Sequence, residues 1–261
     1  MVPSSNPAFR NMEAVINGQQ AAPSAEYLDQ LYHQPAYQKP PVQTERLLTL
    51  DDVVTKTATL LGTAIVAGAI TAYFQAYALA IPAAIVGFVL AMIVIFKRST
   101  SPALIVPYAI VEGVLLGAIT AVFEDQWAGI AIQAILATVG VFVGMLVVYK
   151  TGVIRVTPKF TKMLIGGMVG VLILMVGNLV LGGLFGINMG LRDGSTTAII
   201  FSIVCIAIAA FSFMLDFEAI DQAIKQNAPA KTAWYFSFGL MVTLVWLYLE
   251  ILRLLGYMRS D

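Results

Sequence analysis

The chain has 261 residues, of which 59% are hydrophobic and only 11% charged, and its mean hydropathy is +0.84. Soluble domains contain roughly 25% charged residues, so most of this chain's surface is expected to face hydrocarbon instead of water. The formal net charge is zero, which gives the molecule no general attraction to nucleic acid.

The first 48 residues differ from the rest of the chain. They are rich in Pro, Gln, Asn and Ser and show no apolar period. Such a segment cannot bury enough surface to offset its ordering entropy, so we expect residues 1–48 to be a disordered polar tail, with a docking tail as the alternative. The ordered domain is expected over 49–261, since Thr49-Leu50-Asp51-Asp52 has the pattern of a helix capping box.

Seven continuous apolar runs follow the tail. Each is close to the roughly 20 residues that a helix needs to cross a bilayer core, and their continuity favours helices over the alternating strands of a barrel. The predicted fold is therefore all-α, a polytopic integral membrane bundle of seven helices. The runs cover residues 53–75, 79–96, 103–123, 128–149, 162–184, 196–216 and 231–255.

Three glycine pairs occur at helix-packing spacing, namely Gly140 and Gly144, Gly166 and Gly170, and Gly182 and Gly186. Small residues four apart let helix backbones approach closely in lipid. The pairs predict a compact bundle packed through these helices.

Basic residues indicate the orientation. With seven crossings, twelve Lys and Arg residues fall on the side of the N-terminus, whereas Arg192, Arg253 and Arg259 fall on the other side. The positive-inside rule therefore predicts a multi-pass protein of the cell membrane with its N-terminus in the cytoplasm and its C-terminus outside.

Acidic side chains in membrane spans are functional candidates, because a charge is costly there. Glu112 is expected near the middle of the third helix, Asp216 towards the end of the sixth, and Glu250 towards the end of the seventh. No basic residue lies within one turn of Glu112, which therefore needs a partner from another helix, a proton or water.

The other polar candidates also have structural interpretations. Glu250 can form an ion pair with Arg253, three residues on. Asp216, Glu218 and Asp221 fit the wet face of a helix that continues into the cytoplasm. Asn178, in the fifth helix, is expected to form an interhelical hydrogen bond.

The last two helices are predicted to form a tight hairpin with its tip near Pro229. Asp216 precedes that tip by thirteen residues, which places it level with Val242 and Thr243. Glu250 would lie roughly 10 Å farther along the axis, at about 1.5 Å per residue. A direct pair of Asp216 with Glu250 is therefore not expected.

The end of the chain resembles the Bax inhibitor family, in a bacterial form. The resemblance is carried by Phe211-Ser212-Phe213-Met214-Leu215-Asp216 with Ile220, by Glu112-Gly113, and by Trp246-Leu247-Tyr248-Leu249-Glu250-Ile251-Leu252-Arg253-Leu254-Leu255-Gly256. It covers residues 50–258 and leaves the tail outside.

The resemblance implies a seven-helix bundle with a leak for cations, chiefly calcium, that responds to pH. In the family a pair of aspartates on the sixth and seventh helices shares a proton and gates the path. The first corresponds to Asp216. The second falls on Thr243, or on Glu250 if the Leu-Tyr-Leu-acid string is aligned instead, so the paired-carboxylate gate is in doubt. The missing charge would have to come from Glu112, Glu218 or Asp221.

The favoured function is a calcium leak channel, whose path needs acidic side chains. Asp216 and Glu112 are the candidates for holding the ion. No cofactor is expected besides calcium as a permeant or bound ion. The alternative is a non-transporting membrane protein that binds and regulates other membrane proteins or a membrane protease. An enzyme is not expected, because the single histidine, His33, lies in the tail and the single cysteine, Cys205, lies in an apolar run.

Overall fold

A computed structural model describes residues 46–186 and 189–260, with the side chains of residues 184 and 185 outside that description. Seven helices in this part of the chain are long and apolar enough to cross a membrane, which confirms the predicted fold class. A 3₁₀ turn over Tyr77–Leu79 precedes the second of them. The helices are α1 (Leu50–Tyr73), α2 (Ala80–Lys97), α3 (Pro102–Gln126), α4 (Ile130–Thr151), α5 (Pro158–Phe185), α6 (Thr196–Lys225) and α7 (Ala233–Arg259).

The first helix begins at the predicted capping box. The Thr49 side chain accepts from the Asp52 backbone N–H at 3.3 Å, and the Asp52 carboxylate accepts from the Thr49 backbone N–H at 3.1 Å. Arg46 adds an ion pair of 3.0 Å to Asp52. The two orphan N–H groups of the helix start are thereby satisfied, as the sequence pattern predicts.

Residues 46–48, which the sequence analysis placed in the tail, bind the loop between α6 and α7. The Leu48 N–H donates to the Ala228 carbonyl at 2.8 Å, and the Ala230 N–H donates to the Arg46 carbonyl at 2.7 Å. Leu48 is buried because it packs into the core between α1, α6 and α7. The ordered part therefore includes Arg46, and the predicted disorder falls on residues 1–45, outside the described residues.

These contacts define two ends of the bundle. The start of α1 meets the α6–α7 loop at the end that we call the N-terminal side. At the opposite end, the C-terminal side, Arg259 donates to the Ala128 carbonyl at 3.3 Å and to the Gln133 side chain at 2.8 Å. The last helix is thus fastened to the loop between α3 and α4.

The closest helix contact lies between α1 and α3, and the sequence analysis missed it. A β-carbon at Gly113 would lie 2.3 Å from the Ala64 carbonyl oxygen, and one at Gly117 would lie 2.2 Å from the Gly68 carbonyl oxygen. Only glycine permits this approach. The two helices therefore pack backbone against backbone.

The glycine pairs that the sequence analysis selected do not make such contacts. A β-carbon at Gly140, Gly144, Gly166 or Gly170 would meet no atom within 4 Å. Gly186 is instead the left-handed cap of α5, with φ +66°. The prediction that these pairs pack the bundle was wrong for this chain, because α4 and α5 turn these glycines away from the neighbouring helices.

The buried centre of the bundle belongs to α3, α6 and α7. Half of the most apolar stretch of α7 is buried, compared with 11% of that of α5. One core cluster joins α7 to α1, α4 and α6, and a second joins it to α1, α2 and α3. The last helix is therefore the element around which the candidate acids are arranged.

Candidate functional site

Asp216 of α6 meets Thr243 of α7 at the centre of the last hairpin. The Thr243 hydroxyl donates to Asp216 Oδ2 at 2.8 Å. The 3₁₀ turn Ala230–Thr232 closes the hairpin after Pro229, and this short connection sets the two helices in register. The sequence-based arithmetic that placed Asp216 level with Thr243 is confirmed.

Aromatic side chains flank Asp216 along α6 and form a cluster with α4. Phe213 and Phe217 lie one turn before and one residue after it on α6, and both are buried. The Phe142 ring of α4 packs on both of them, with centroids 5.2 and 5.7 Å apart. Asp216 is partly buried beside this aromatic group. An unpaired carboxylate in such surroundings favours either a cation or a proton as its companion.

Thr243 offers the Asp216 carboxylate an adjustable partner. Its hydroxyl lies 3.3 Å from the Gly239 carbonyl as well as 2.8 Å from Asp216. A hydroxyl has one proton to donate and two lone pairs to accept with. It can therefore donate to an ionised Asp216, or accept from a protonated one while it donates to Gly239.

Glu250 lies in a different environment, at the C-terminal side of α7. Its side chain is 2% exposed, and its Oε1 atom is 2.9 Å from Arg253 and 3.0 Å from Arg192. The pair with Arg253 confirms the structural interpretation from the sequence. The Arg192 contact was missed, because this residue comes from the α5–α6 loop, 58 positions earlier in the chain.

Glu112 lies where α2 crosses α3. Its carboxylate lies close to the Tyr108 side chain, one turn earlier on the same helix. A β-carbon at Gly87 of α2 would lie 3.2 Å from Glu112 Oε2, so this glycine makes room for the carboxylate. Tyr108 in turn packs edge-on against Phe238 of α7, with ring centroids 4.9 Å apart. Of the three companions expected for Glu112 (a partner from another helix, a proton or water), α2 offers no basic side chain at this contact, only the space beside Gly87.

Glu112 and Asp216 have separate surroundings in the bundle. Among the described residues, no hydrogen bond or ion pair joins them, and they lie beside different core clusters. Nor does any group of three or more His, Cys, Asp or Glu in the described part of the chain have a geometry that could hold a metal ion. That Asp216 and Glu112 together hold a calcium ion stays a prediction.

The remaining polar candidates have local partners. Glu218 accepts from the Tyr149 hydroxyl at 3.1 Å and from Gln222 at 2.8 Å. Asp221 pairs with Lys225 at 2.5 Å, one turn on. These contacts fit the solvent-exposed face predicted for Glu218 and Asp221, whereas Asp216, the third residue of that predicted face, is partly buried against Thr243.

Asn178 serves the α5–α6 loop. Its Oδ1 atom accepts from the Met189 backbone N–H at 3.2 Å. The predicted interhelical hydrogen bond was therefore wrong, because the Asn178 oxygen accepts from the backbone of the loop that follows α5.

Comparison with known proteins extends the similarity found in the sequence. A family model described as Bax inhibitor 1 like matches residues 6–260. The match begins within the segment assigned to the tail, whereas the sequence resemblance was limited to residues 50–258. No curated protein matches the chain. Together with the seven apolar helices, this match shows that the chain is a multi-pass membrane protein that belongs to the Bax inhibitor 1 like family.

Proposed function

We propose that this protein is a slow leak for cations, chiefly calcium, and that Asp216 is the residue that the ion meets inside the bundle. The observation that carries the proposal is the Asp216–Thr243 contact of 2.8 Å. It leaves the carboxylate with a neutral partner instead of a basic one. Glu250, by contrast, has both arginines on one oxygen.

A carboxylate without a basic partner supplies the negative potential that a permeant cation needs. Rings or single acids of this kind select cations in channel proteins. Calcium prefers several oxygen ligands, of which Asp216 offers two, and the Thr243 hydroxyl and backbone carbonyls such as that of Gly239 lie beside it. A site with few protein ligands binds weakly, which suits an ion that must leave again.

Asp216 can respond to pH by itself, although Thr243 takes the place of the family's second aspartate. Protonation removes the charge of Asp216 and reverses its hydrogen bond to Thr243, whose hydroxyl then turns to Gly239. Other titratable side chains on α4, α6 and α7 already have partners: Glu218 binds Tyr149 at 3.1 Å, Asp221 pairs with Lys225, and Glu250 pairs with Arg192 and Arg253. One carboxylate then titrates as a single step, unlike a coupled pair.

The test is calcium uptake into proteoliposomes that contain the full chain, measured between pH 5 and 8. We expect a leak that falls as the pH is lowered, and Asp216→Asn should remove both the leak and its pH dependence. Asp221→Asn is the matched control, because Asp221 pairs with Lys225 on the exposed end of the same helix. An Asp216→Asn variant with wild-type calcium flux would refute the proposal and favour a role in binding other membrane proteins.

We also propose the cell membrane as the location, with the N-terminus in the cytoplasm. Twelve of the fifteen basic residues support this orientation. Cys205 is fully buried, so it contributes little background to thiol labelling. In intact cells a membrane-impermeant maleimide should label Ser260→Cys and leave Ser99→Cys unlabelled. The opposite pattern would reverse the assigned topology.

A further inference from the structure

A cavity of about 300 Å³ opens at the C-terminal side of the bundle. It lies between the ends of α3 and α7 and the loop that joins α5 to α6. Gly256 shapes it, because a β-carbon there would lie 2.7 Å from the Phe123 ring and 3.4 Å from the Trp127 ring. The lining residues are Phe123, Gln126, Trp127, Arg192, Asp193, Gly194, Gly256, Tyr257 and Ser260.

Two neighbouring residues give this cavity a positive and a negative group. Arg192 donates through Nη2 to Glu250 at 3.0 Å, but its Nη1 atom is buried and has no hydrogen-bond partner in the described protein. Since Arg253 also pairs with Glu250, two guanidinium groups share one carboxylate and a positive charge remains. Arg192 lines the cavity and its side chain is one-quarter exposed, so this remaining charge can attract an anionic group such as a phosphate.

Asp193 supplies the negative group. Its carboxylate accepts a hydrogen bond from the Ser195 backbone N–H at 3.0 Å. Hydrogen bonds from Ser195 lower the pKa of Asp193, so this exposed carboxylate is ionised at neutral pH. An ammonium group is its natural counterpart. Trp127 and Tyr257 line the same cavity, and aromatic rings attract cations.

A second cavity, of about 280 Å³, shares Arg192 with the first. Its lining is mostly apolar, and it lies between α5, α6 and their loop. The Arg192 side chain reaches into this region, since Nη2 is 3.5 Å from the Met175 sulfur and the guanidinium lies over the Phe201 ring at 5.7 Å. A charged cavity beside an apolar one at the end of membrane helices matches a headgroup joined to acyl chains.

We propose that these two cavities bind one zwitterionic phospholipid, with its phosphate on Arg192, its ammonium on Asp193 and part of an acyl chain against Met175 and Phe201. The apolar cavity favours a lipid over a soluble phosphate ester. The site does not depend on cation conduction, because Asp216 and Thr243 lie on a different part of α6 and α7.

Native mass spectrometry of the full-length protein in detergent tests this proposal. The probes are phosphatidylethanolamine, phosphatidylglycerol and soluble phosphoethanolamine. We expect phosphatidylethanolamine to bind more tightly than the other two. Arg192→Gln should weaken its binding at least about tenfold, the loss expected for one charge-assisted hydrogen bond. Arg155→Gln, in the exposed loop between α4 and α5, is the matched control and should leave binding unchanged.

Asp193→Asn is a second test that does not depend on the stability of Arg192→Gln. It keeps the oxygen that accepts from Ser195 and so preserves the loop. We expect this variant to bind phosphatidylethanolamine and phosphatidylglycerol equally. The proposal is overturned if the wild type already binds both lipids equally, or if Asp193→Asn retains the wild-type preference. Equal affinity for soluble phosphoethanolamine would overturn the role of the apolar cavity and assign the site to a free phosphate ester.

Discussion

The contact between α1 and α3 makes a quantitative prediction for Gly117→Ala. The added methyl carbon would lie 2.2 Å from the Gly68 carbonyl oxygen. Carbon–oxygen contacts between helices normally lie at about 3.3–3.6 Å, so the helices must separate by about 1 Å. Both sides of this contact are backbone, and no side-chain rotation can relieve it. The separation also loosens Ala64 and Ala121, which are buried one turn away from the contact on the two helices.

Overpacking of this kind lowers stability by about 1–3 kcal/mol. Replacing glycine by alanine within a helix by itself favours the helix by about 1 kcal/mol, so a matched substitution must separate the two effects. Gly144→Ala provides it, because a β-carbon there meets nothing within 4 Å. We expect Gly117→Ala to be less stable than Gly144→Ala by about 1–3 kcal/mol.

The free energy of unfolding of both variants can be measured in mixed micelles by titration with a denaturing detergent. Gly117→Ala should unfold at lower detergent than the wild type, and Gly144→Ala at equal or higher detergent. If the two variants unfold together, the close approach of α1 and α3 does not stabilise the bundle and the reasoning fails.

Substitutions at three contacts, two of them with a matched control, test the polar interactions. Thr243→Val removes the hydroxyl that donates to Asp216, and we expect the free energy of unfolding to fall by about 1–3 kcal/mol, whereas Thr243→Ser should keep most of it. Glu250→Gln leaves two arginines without their carboxylate and should destabilise by about 3 kcal/mol in the same titration. Glu112→Gln breaks no ion pair and should lower the free energy of unfolding less. Equal decreases for Glu112→Gln and Glu250→Gln would contradict the ion pairing assigned to Glu250. Tyr149→Phe removes the hydrogen bond to Glu218 and should lower the free energy of unfolding by about 1 kcal/mol. An unchanged value would contradict a stabilising role for that hydrogen bond.

The candidate site was predictable where it depended on distance along the chain. A short hairpin fixes the register of two helices, so counting from Pro229 was enough to bring Asp216 to Thr243. The i,i+3 pair of Glu250 and Arg253 followed from helix geometry alone. Arg192 could not be found in this way, because loop closure places it, and nothing in the local sequence encodes that distance.

Hydrophobicity along the sequence by itself determined that seven helices cross the membrane, since each span must satisfy its backbone within itself. The capping box likewise fixed where the first helix begins. Which face of each helix turns inward was decided only by the tertiary structure. In an almost uniformly apolar helix, the sequence does not indicate which face is buried. Gly113 and Gly117, which pack against α1, therefore could not be distinguished from the glycines of α4 and α5, which do not pack.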